Sequence, residues 1–227
     1  MPENLQYLVG VDEAGRGPLA GPVAVGIVCL PAIALAEAGL GAGEEILAIF
    51  GEKGVRDSKK LSEKKREEIF DRIQELKKEE KLDFVVTLVS NKVIDEKGIS
   101  VAIKSGISEC LKKLNLKPES CLIKLDGGLK ASGNYLNQET IIRGDEQEPV
   151  IALASICAKV VRDKWMGELA RKYPNYALEK HKGYGTKSHY EALKKSGISP
   201  IHRKSFLKNF ITHPTLSYLK RGRNTKK

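Results

Sequence analysis

Three apolar, strand-like runs of this 227-residue chain each lead into an aspartate: Tyr7–Val11 into Asp12, Cys121–Leu125 into Asp126, and Glu139–Ile142 into Gly144 and Asp145. Glu13 follows Asp12 directly. If these strands are mutually parallel, their carboxyl ends share one edge of a sheet, where open α/β proteins bind ligands. Four carboxylates gathered there repel one another and need a compensating charge. All-oxygen donors suit hard divalent cations, and two such ions can hold a phosphodiester for in-line attack by water. Taken singly, each aspartate is better read as a turn residue at a strand end. In a regular strand Asp12 and Glu13 point to opposite faces, so their convergence calls for a bend between them, which Gly15 and Gly17 permit.

Other chemistry-bearing residues are less specific. His181, His189, His202 and His213 have basic rather than acidic neighbours, so structural and phosphate-contacting roles stand equal. Gly39–Glu44 reads GLGAGE and lacks the ending of a phosphate-binding loop. Ser155 and Lys159 form S-x-x-x-K, which is no nucleophile motif. Cys29, Cys110, Cys121 and Cys157 show neither a CxxC pair nor zinc spacing and read as buried thiols of a reducing compartment. No basic segment followed by an apolar one opens the chain, and no run approaches the ~18 apolar residues of a membrane helix. A cytoplasmic protein with no membrane partner is expected.

The elements that must position the carboxylates follow from periodicity. Tyr7–Val11 and Val23–Leu30 predict two strands joined by a loop over Glu13–Pro22. Residues 31–56 mix a helical stretch, Ile33–Ala38, with five glycines and predict a surface excursion. Leu61, Ile69, Ile73 and Leu76 recur at helical spacing behind Ser62, a candidate N-cap, and predict a helix to about Glu80. A strand is expected at Phe84–Val89, one or two helices over Val93–Leu114, a long helix over Val150–Arg171 before Pro174, and short helices at Tyr190–Lys195 and Phe206–Asn209. This order describes a mixed α/β sheet layered with helices.

Charge is distributed unevenly. Residues 1–176 carry 26 basic and 27 acidic side chains, whereas residues 177–227 carry 13 and 2. The whole net charge of +10 thus resides in the last quarter. Clustered lysine and arginine of this kind suit a polyanion, because neutralising phosphates releases counterions. Lys220, Arg221, Arg223, Lys226 and Lys227 by themselves read as a solvated tail.

Longer motifs add a resemblance. Val11–Val23, reading VDEAGRGPLAGPV, resembles the N-terminal signature of the type 2 ribonucleases H, the ribonuclease HII family. DSKKLS at 57–62, Asp126-Gly127, Gly144-Asp145, ASICAKVVRD at 154–163, HKGYGT at 181–186 and HRKSF at 202–206 are similar to family motifs in the same order. The resemblance implies an α/β, ribonuclease H-like mixed β-sheet flanked by helices, with residues 1–176 as catalytic core and 177–227 as a basic, mainly helical substrate-binding region ending in a disordered tail. It implies an endonuclease that hydrolyses the RNA strand of RNA–DNA hybrids and nicks DNA duplexes 5′ of embedded ribonucleotides, leaving 5′-phosphate and 3′-hydroxyl ends. Asp12, Glu13, Asp126 and Asp145 would be the catalytic, metal-binding carboxylates, with Mg2+ or Mn2+ as cofactor and two ions when substrate is bound. Asp163, in a matching motif, rivals Asp145, although on a helix a surface pair with Lys159 one turn away is its simpler role.

The resemblance further implies that Gly15, Arg16 and Gly17 sense the ribose 2′-hydroxyl through backbone groups, glycine allowing close approach, and that Tyr184 packs on the following sugar. Lys59, Lys60, Ser155, Lys159, Lys182, Thr186 and Arg203 are candidate phosphate ligands, which position a duplex without reading bases. The 31–56 excursion is longer than the expected link. Ribonuclease HIII, a sister family, carries an extra N-terminal domain, and with so few residues before Asp12 none is expected here. A monomer is expected, with no motif for a protein partner. The competing reading is a non-catalytic nucleic-acid binder, which gains nothing from carboxylates near phosphate unless a cation intervenes.

Overall fold

Alternation along the strands sorts side chains onto two apolar layers. Val9, Val11, Val25, Ile27 and Cys29 enter one cluster, and Leu8, Val28 and Leu30 enter the other. The computed structural model describes residues 5–31, 50 and 61–212. The helix expected at Ile33–Ala38, most of the 31–56 excursion, Lys59, Lys60, His213 and the basic residues from Lys220 onward lie outside the described residues.

Strands β1 (Tyr7–Ala14), β2 (Val23–Pro31) and β3 (Asp83–Val89) form an antiparallel meander. β4 (Cys121–Asp126) adds parallel to β1, and β5 (Gln138–Ile141) adds parallel to β4. The sheet order is β3-β2-β1-β4-β5. The strands expected to carry the aspartates are therefore the mutually parallel ones. Asp145 itself is a correction: β5 stops at Ile141, and Asp145 lies in the single-turn helix α4 (Gly144–Gln147).

Helix α1 (Glu63–Lys78) starts as expected, with the Ser62 side chain accepting from the Lys65 N–H. The segment read as one or two helices is two, α2 (Asn91–Lys97) and α3 (Ile99–Lys113), separated at Gly98. α3 covers the Val9/Val11 face, together with Ile103, Ile107 and Leu111. The opposite face is covered by α1 and the 24-residue α5 (Pro149–Lys172). α5 is buried over most of its circumference, because the sheet, α1 and the C-terminal region each pack on it.

α5 lies close to the sheet because two strand positions lack side chains. A Cβ on Gly10 would stand 2.2 Å from the Val150 carbonyl oxygen, and one on Gly26 2.4 Å from that of Ala154. Gly26→Ala is expected to lower stability by about 1–3 kcal/mol, since the obstacle is helix backbone in a packed interior. Urea denaturation midpoints check this; an unchanged midpoint would mean that α5 can back away freely.

Beyond α5 come α6 (Leu178–His181), α7 (Lys187–Ser196), a 3-10 turn at Lys204–Leu207 and α8 (Lys208–Thr212). This basic region is not a loose appendage. Tyr176, Leu178, Leu193, Ile201 and Leu207 form a third apolar cluster with Leu19, Ala20, Met166 and Leu169. Among the described residues no helix is long and apolar enough to cross a membrane. All four cysteines are buried and unbridged.

Candidate active site

An open groove of about 340 Å3 crosses the carboxyl end of β1, lined by Asp12, Glu13, Gly15–Gly17, Asp126, Ser155, Lys159, Arg66 and Tyr184. Asp12 shares strand parity with Leu8 and Gly10, so it faces α5, and Ser155 on α5 hydrogen-bonds to it. Asp12 is only 4% exposed. The bend expected between Asp12 and Glu13 is absent: pairing with β2 continues through Ala14 opposite Ala24. Both carboxylates nevertheless line the groove. The chain turns at Gly15, whose φ of +89° disfavours a side chain.

Asp126 points towards α4, and its Oδ1 accepts the Gly144 N–H at 2.6 Å. Glu13 pairs with Arg16 at 3.0 Å, and Asp12 Oδ1 accepts the Glu13 N–H at 2.7 Å. Each carboxylate thus takes a local partner, and among the described residues no three acidic, histidine or cysteine side chains enclose one point. Burial, above all, and then the charges of Glu13 and Asp126 hold Asp12 well above the usual carboxylate range, against the Ser155 hydrogen bond. Burial likewise raises Glu13, against its pairing with Arg16. Ionised carboxylates crowded into a half-dry groove constitute a site that a cation stabilises. The donor set is oxygen alone, which fits a hard divalent ion.

Asp145 stands apart. It is fully buried, adjacent in sequence to the Gly144 that binds Asp126, and does not line the groove. Asp163 pairs with Lys159 at 2.7 Å, as its helical spacing suggested, although the pair is half-buried rather than on the surface. Lys159 itself lines the groove.

The candidate phosphate ligands divide. Ser155 and Lys159 border the groove. Lys182 lies in an adjoining recess with Arg66 and Lys164 and pairs with Glu63 at 3.3 Å. Thr186 is exposed, and its hydroxyl caps α7 by accepting the His189 N–H. Arg203 is a correction: it is fully buried, its guanidinium is bound to the carbonyls of Gly15, Arg16 and Gly21, and it cannot reach a phosphate. Sequence reasoning missed Arg66, which enters the groove from α1. A signal was present, since Arg66 lies three, four and seven positions before Ile69, Phe70 and Ile73 and so shares their inward stripe.

The three described histidines are structural. His181, His189 and His202 are all buried, and their rings contact one another.

Comparison with known proteins decides the family, since the model of ribonuclease HII matches residues 9–209. The chain belongs to the ribonuclease HII family. Ribonuclease HII of Endomicrobium trichonymphae is 50% identical over 199 residues, covering 88% of this chain and 84% of that protein. Ribonuclease HII of Caldicellulosiruptor bescii is 42% identical over 210 residues, covering 92% and 91%. Among solved structures, ribonuclease H2 of Pyrococcus horikoshii OT3 superposes with a TM-score of 0.64 at 25% identity, covering 91% of this chain and all of that one. The five-stranded sheet is thus a ribonuclease H-like fold, and the protein is a ribonuclease H endonuclease acting on RNA–DNA hybrids. Ribonuclease HII membership sets aside the reading as a non-catalytic binder.

Proposed function

We propose that this groove, besides hydrolysing the RNA strand of hybrids, nicks duplex DNA 5′ of a single embedded ribonucleotide, leaving 5′-phosphate and 3′-hydroxyl ends. Asp12, Glu13 and Asp126, with Asp145 behind them, would hold two divalent cations, Mg2+ or Mn2+. The observation that carries this reading is the joining of three carboxylates and the Gly15-Arg16-Gly17 backbone in one groove. Bound there, divalent cations supply stabilisation of the charge that builds on the scissile phosphate and ready deprotonation of water at neutral pH.

The chain's own residues perform the positioning. Asp12, clamped by the Glu13 N–H and the Ser155 hydroxyl, presents its remaining lone pairs at a fixed place. Lys159 and Arg66 put positive charge on the groove wall, where a backbone phosphate of the cleaved strand would rest. Tyr184, 43% exposed, offers a ring face to a sugar, and Arg162 lies beneath it at 5.9 Å from the ring centre. Close approach of a minor groove is possible at Gly15 and Gly17, where no side chain intervenes.

The exposed lysines of the C-terminal region supply the longer-range footprint. Lys180, Lys187, Lys194 and Lys195 are all solvent-facing. Changing these four to glutamine is expected to flatten the salt dependence of duplex binding, the log–log slope falling by about 0.9 for each phosphate no longer neutralised. Fluorescence anisotropy across salt concentrations reads the slope, and an unchanged slope would place the footprint elsewhere. Deleting the region would not test this, because its apolar residues complete the third cluster.

The deciding experiment is cleavage of an end-labelled duplex with one ribonucleotide in a DNA strand, with Mg2+, Mn2+ or excess chelator, beside an all-DNA duplex. A metal-dependent nick 5′ of the ribonucleotide is expected. Cutting confined to long hybrids would overturn the single-ribonucleotide reading.

A further inference from the structure

Two fully buried arginines lie side by side beneath the glycine-rich loop, although neither has a carboxylate partner within its hydrogen bonds. Their hydrogen bonds go to main-chain carbonyls instead, with Arg162 Nη1 left unpaired among the described residues. Arg203 donates from Nη2 to the Gly15 carbonyl at 2.7 Å, from Nη1 to that of Arg16 at 3.0 Å and from Nε to that of Gly21 at 3.0 Å. Arg162 donates to the carbonyls of Pro22 at 2.9 Å, Lys182 at 3.1 Å and Ala20 at 3.4 Å. Five of these six acceptors belong to the single stretch 15–22.

Peptide geometry converts this into a statement about the groove. Every peptide bond described is trans, and in a planar trans peptide the carbonyl of one residue and the N–H of the next point in opposite directions. With the Gly15 and Arg16 carbonyls turned inward onto Arg203, the N–H groups of Arg16 and Gly17 are turned outward. Outward is the groove, which Gly15, Arg16 and Gly17 line. The loop therefore presents two adjacent backbone donors to whatever occupies the groove, and their direction is set from below.

We infer that Arg203 is a positioning residue for ribose discrimination: by holding the Gly15 and Arg16 carbonyls it aims the Arg16 and Gly17 N–H groups at the 2′-hydroxyl. This rests on the groove reading given above. Arginine suits the task because its rigid planar fork satisfies three diverging acceptors at once, whereas a lysine ammonium is a single point on a flexible stem. Arg162 buttresses the arrangement, since a Cβ on Gly15 would fall 1.9 Å from its Nε.

Arg203 is in turn fixed from α2. Its own N–H donates to the Leu19 carbonyl at 2.8 Å. Asp95 accepts the N–H groups of Lys204 and Ser205, each at 2.9 Å, and the Ser205 hydroxyl at 2.6 Å. Asn91 donates to the carbonyls of Pro200 and His202 at 2.9 and 3.1 Å. The basic C-terminal region thus shapes the loop at the far end of the chain as well as carrying charge.

The test compares affinities for a duplex with one ribonucleotide and for the same duplex in DNA alone, in an Asp12→Asn background that leaves the strands intact. The parent should prefer the ribonucleotide by about tenfold, the scale of one or two hydrogen bonds. Adding Arg203→Lys should bring that ratio to about one while the all-DNA affinity stays within about twofold, as expected when only the backbone donors are misdirected. A retained ratio, or an equal loss of both affinities, would overturn the inference, the latter showing mere structural support. No preference in the parent would instead bring down the groove reading itself, and the inference with it. Should Arg203→Lys not fold, Asp95→Ala, which loosens the same segment without touching the buried pair, should lower the ratio partway. An unaltered ratio there would also overturn the proposal.

Discussion

Asp12→Asn is expected to lower the cleavage rate by at least about 1,000-fold, or about 4 kcal/mol of barrier, while duplex affinity stays within about threefold of the parent. Asparagine has nearly the same shape, its Oδ1 can still accept from the Glu13 N–H, and the Ser155 hydroxyl can donate to that oxygen or accept from the amide, so the end of β1 keeps its geometry. What disappears is the negative charge at the centre of the groove, flanked by Glu13 and Asp126. On the proposed reading, binding would rest elsewhere, on Lys159 and Arg66 in the groove wall and on the exposed lysines of the C-terminal region. A second effect follows from the raised pKa of Asp12. Ionising this carboxylate beside two others opposes folding at neutral pH when no cation is present, so the variant should melt at a higher temperature than the parent in chelator. Single-turnover cleavage, anisotropy and thermal melts read the three quantities. Retained cleavage would remove Asp12 from the catalytic set.

Acid lability of the C-terminal region is the second large effect. Its hydrogen bonds define a chain of neutral imidazoles. The Ser199 N–H donates to His202 Nδ1 at 3.1 Å, so the His202 proton is on Nε2, which contacts His189 Nε2 at 3.1 Å. His189 therefore carries its proton on Nδ1 and donates to the Tyr184 carbonyl at 2.9 Å. His181 follows the same logic, accepting from the Gly183 N–H and donating to the Tyr176 carbonyl. A further proton on His202 Nδ1 would face the Ser199 N–H in a buried site, offset only in part by the Ser199 oxygens at 2.8 and 3.3 Å. Burial, followed by the neighbouring His189, pushes His202 down to about 4, and burial lowers His189 and His181 as well.

An unfolded histidine takes up its proton near pH ~6.5. Between that value and about 4 the unfolded chain binds a proton that native His202 refuses. Stability is therefore fully present above pH ~6.5 and declines as pH falls, by about 3 kcal/mol from His202 alone. Asp12 and Glu13 act in the opposite sense, because their raised native values keep protons on the folded protein. Comparison with His202→Gln isolates the histidine contribution. The variant should be less stable at pH 7.5, yet lose less stability between pH 7 and 4.5. Parallel curves for the two proteins would show that His202 does not sense the acid.

Much of the scaffold was legible because it is written in neighbouring residues. The Ser62 cap, the apolar stripe of α1, the alternating β1 and β4 and the long α5 are each set by contacts within a few positions, and each was found where the pattern placed it. The carboxylates themselves, Asp12, Glu13 and Asp126, stood out for the same reason, as charges terminating apolar runs. Boundaries set by hydrogen bonding rather than side-chain pattern were less legible. β1 runs on to Ala14 because β2 continues to pair with it, and β5 ends at Ile141 well before Asp145.

Arg203 shows where local reading stops. In a stretch of lysines and histidines an arginine reads as a phosphate ligand, and nothing nearby in sequence contradicts that. Its partner Gly15 lies 188 positions away, and only the packing of the C-terminal region against Leu19 and Met166 brings the two together. By itself, then, the sequence determined which residues carry charge, which segments become strand or helix, and to which family the motifs belong. The tertiary structure alone decided that β1 and β4 lie parallel and adjacent, that Asp145 is buried away from the groove lining, and that two arginines turn inward to hold the loop. The physical reason is range: propensity and periodicity act over a turn or two of chain, whereas the direction of a buried side chain is chosen by whichever distant backbone groups would otherwise lack a hydrogen-bond partner.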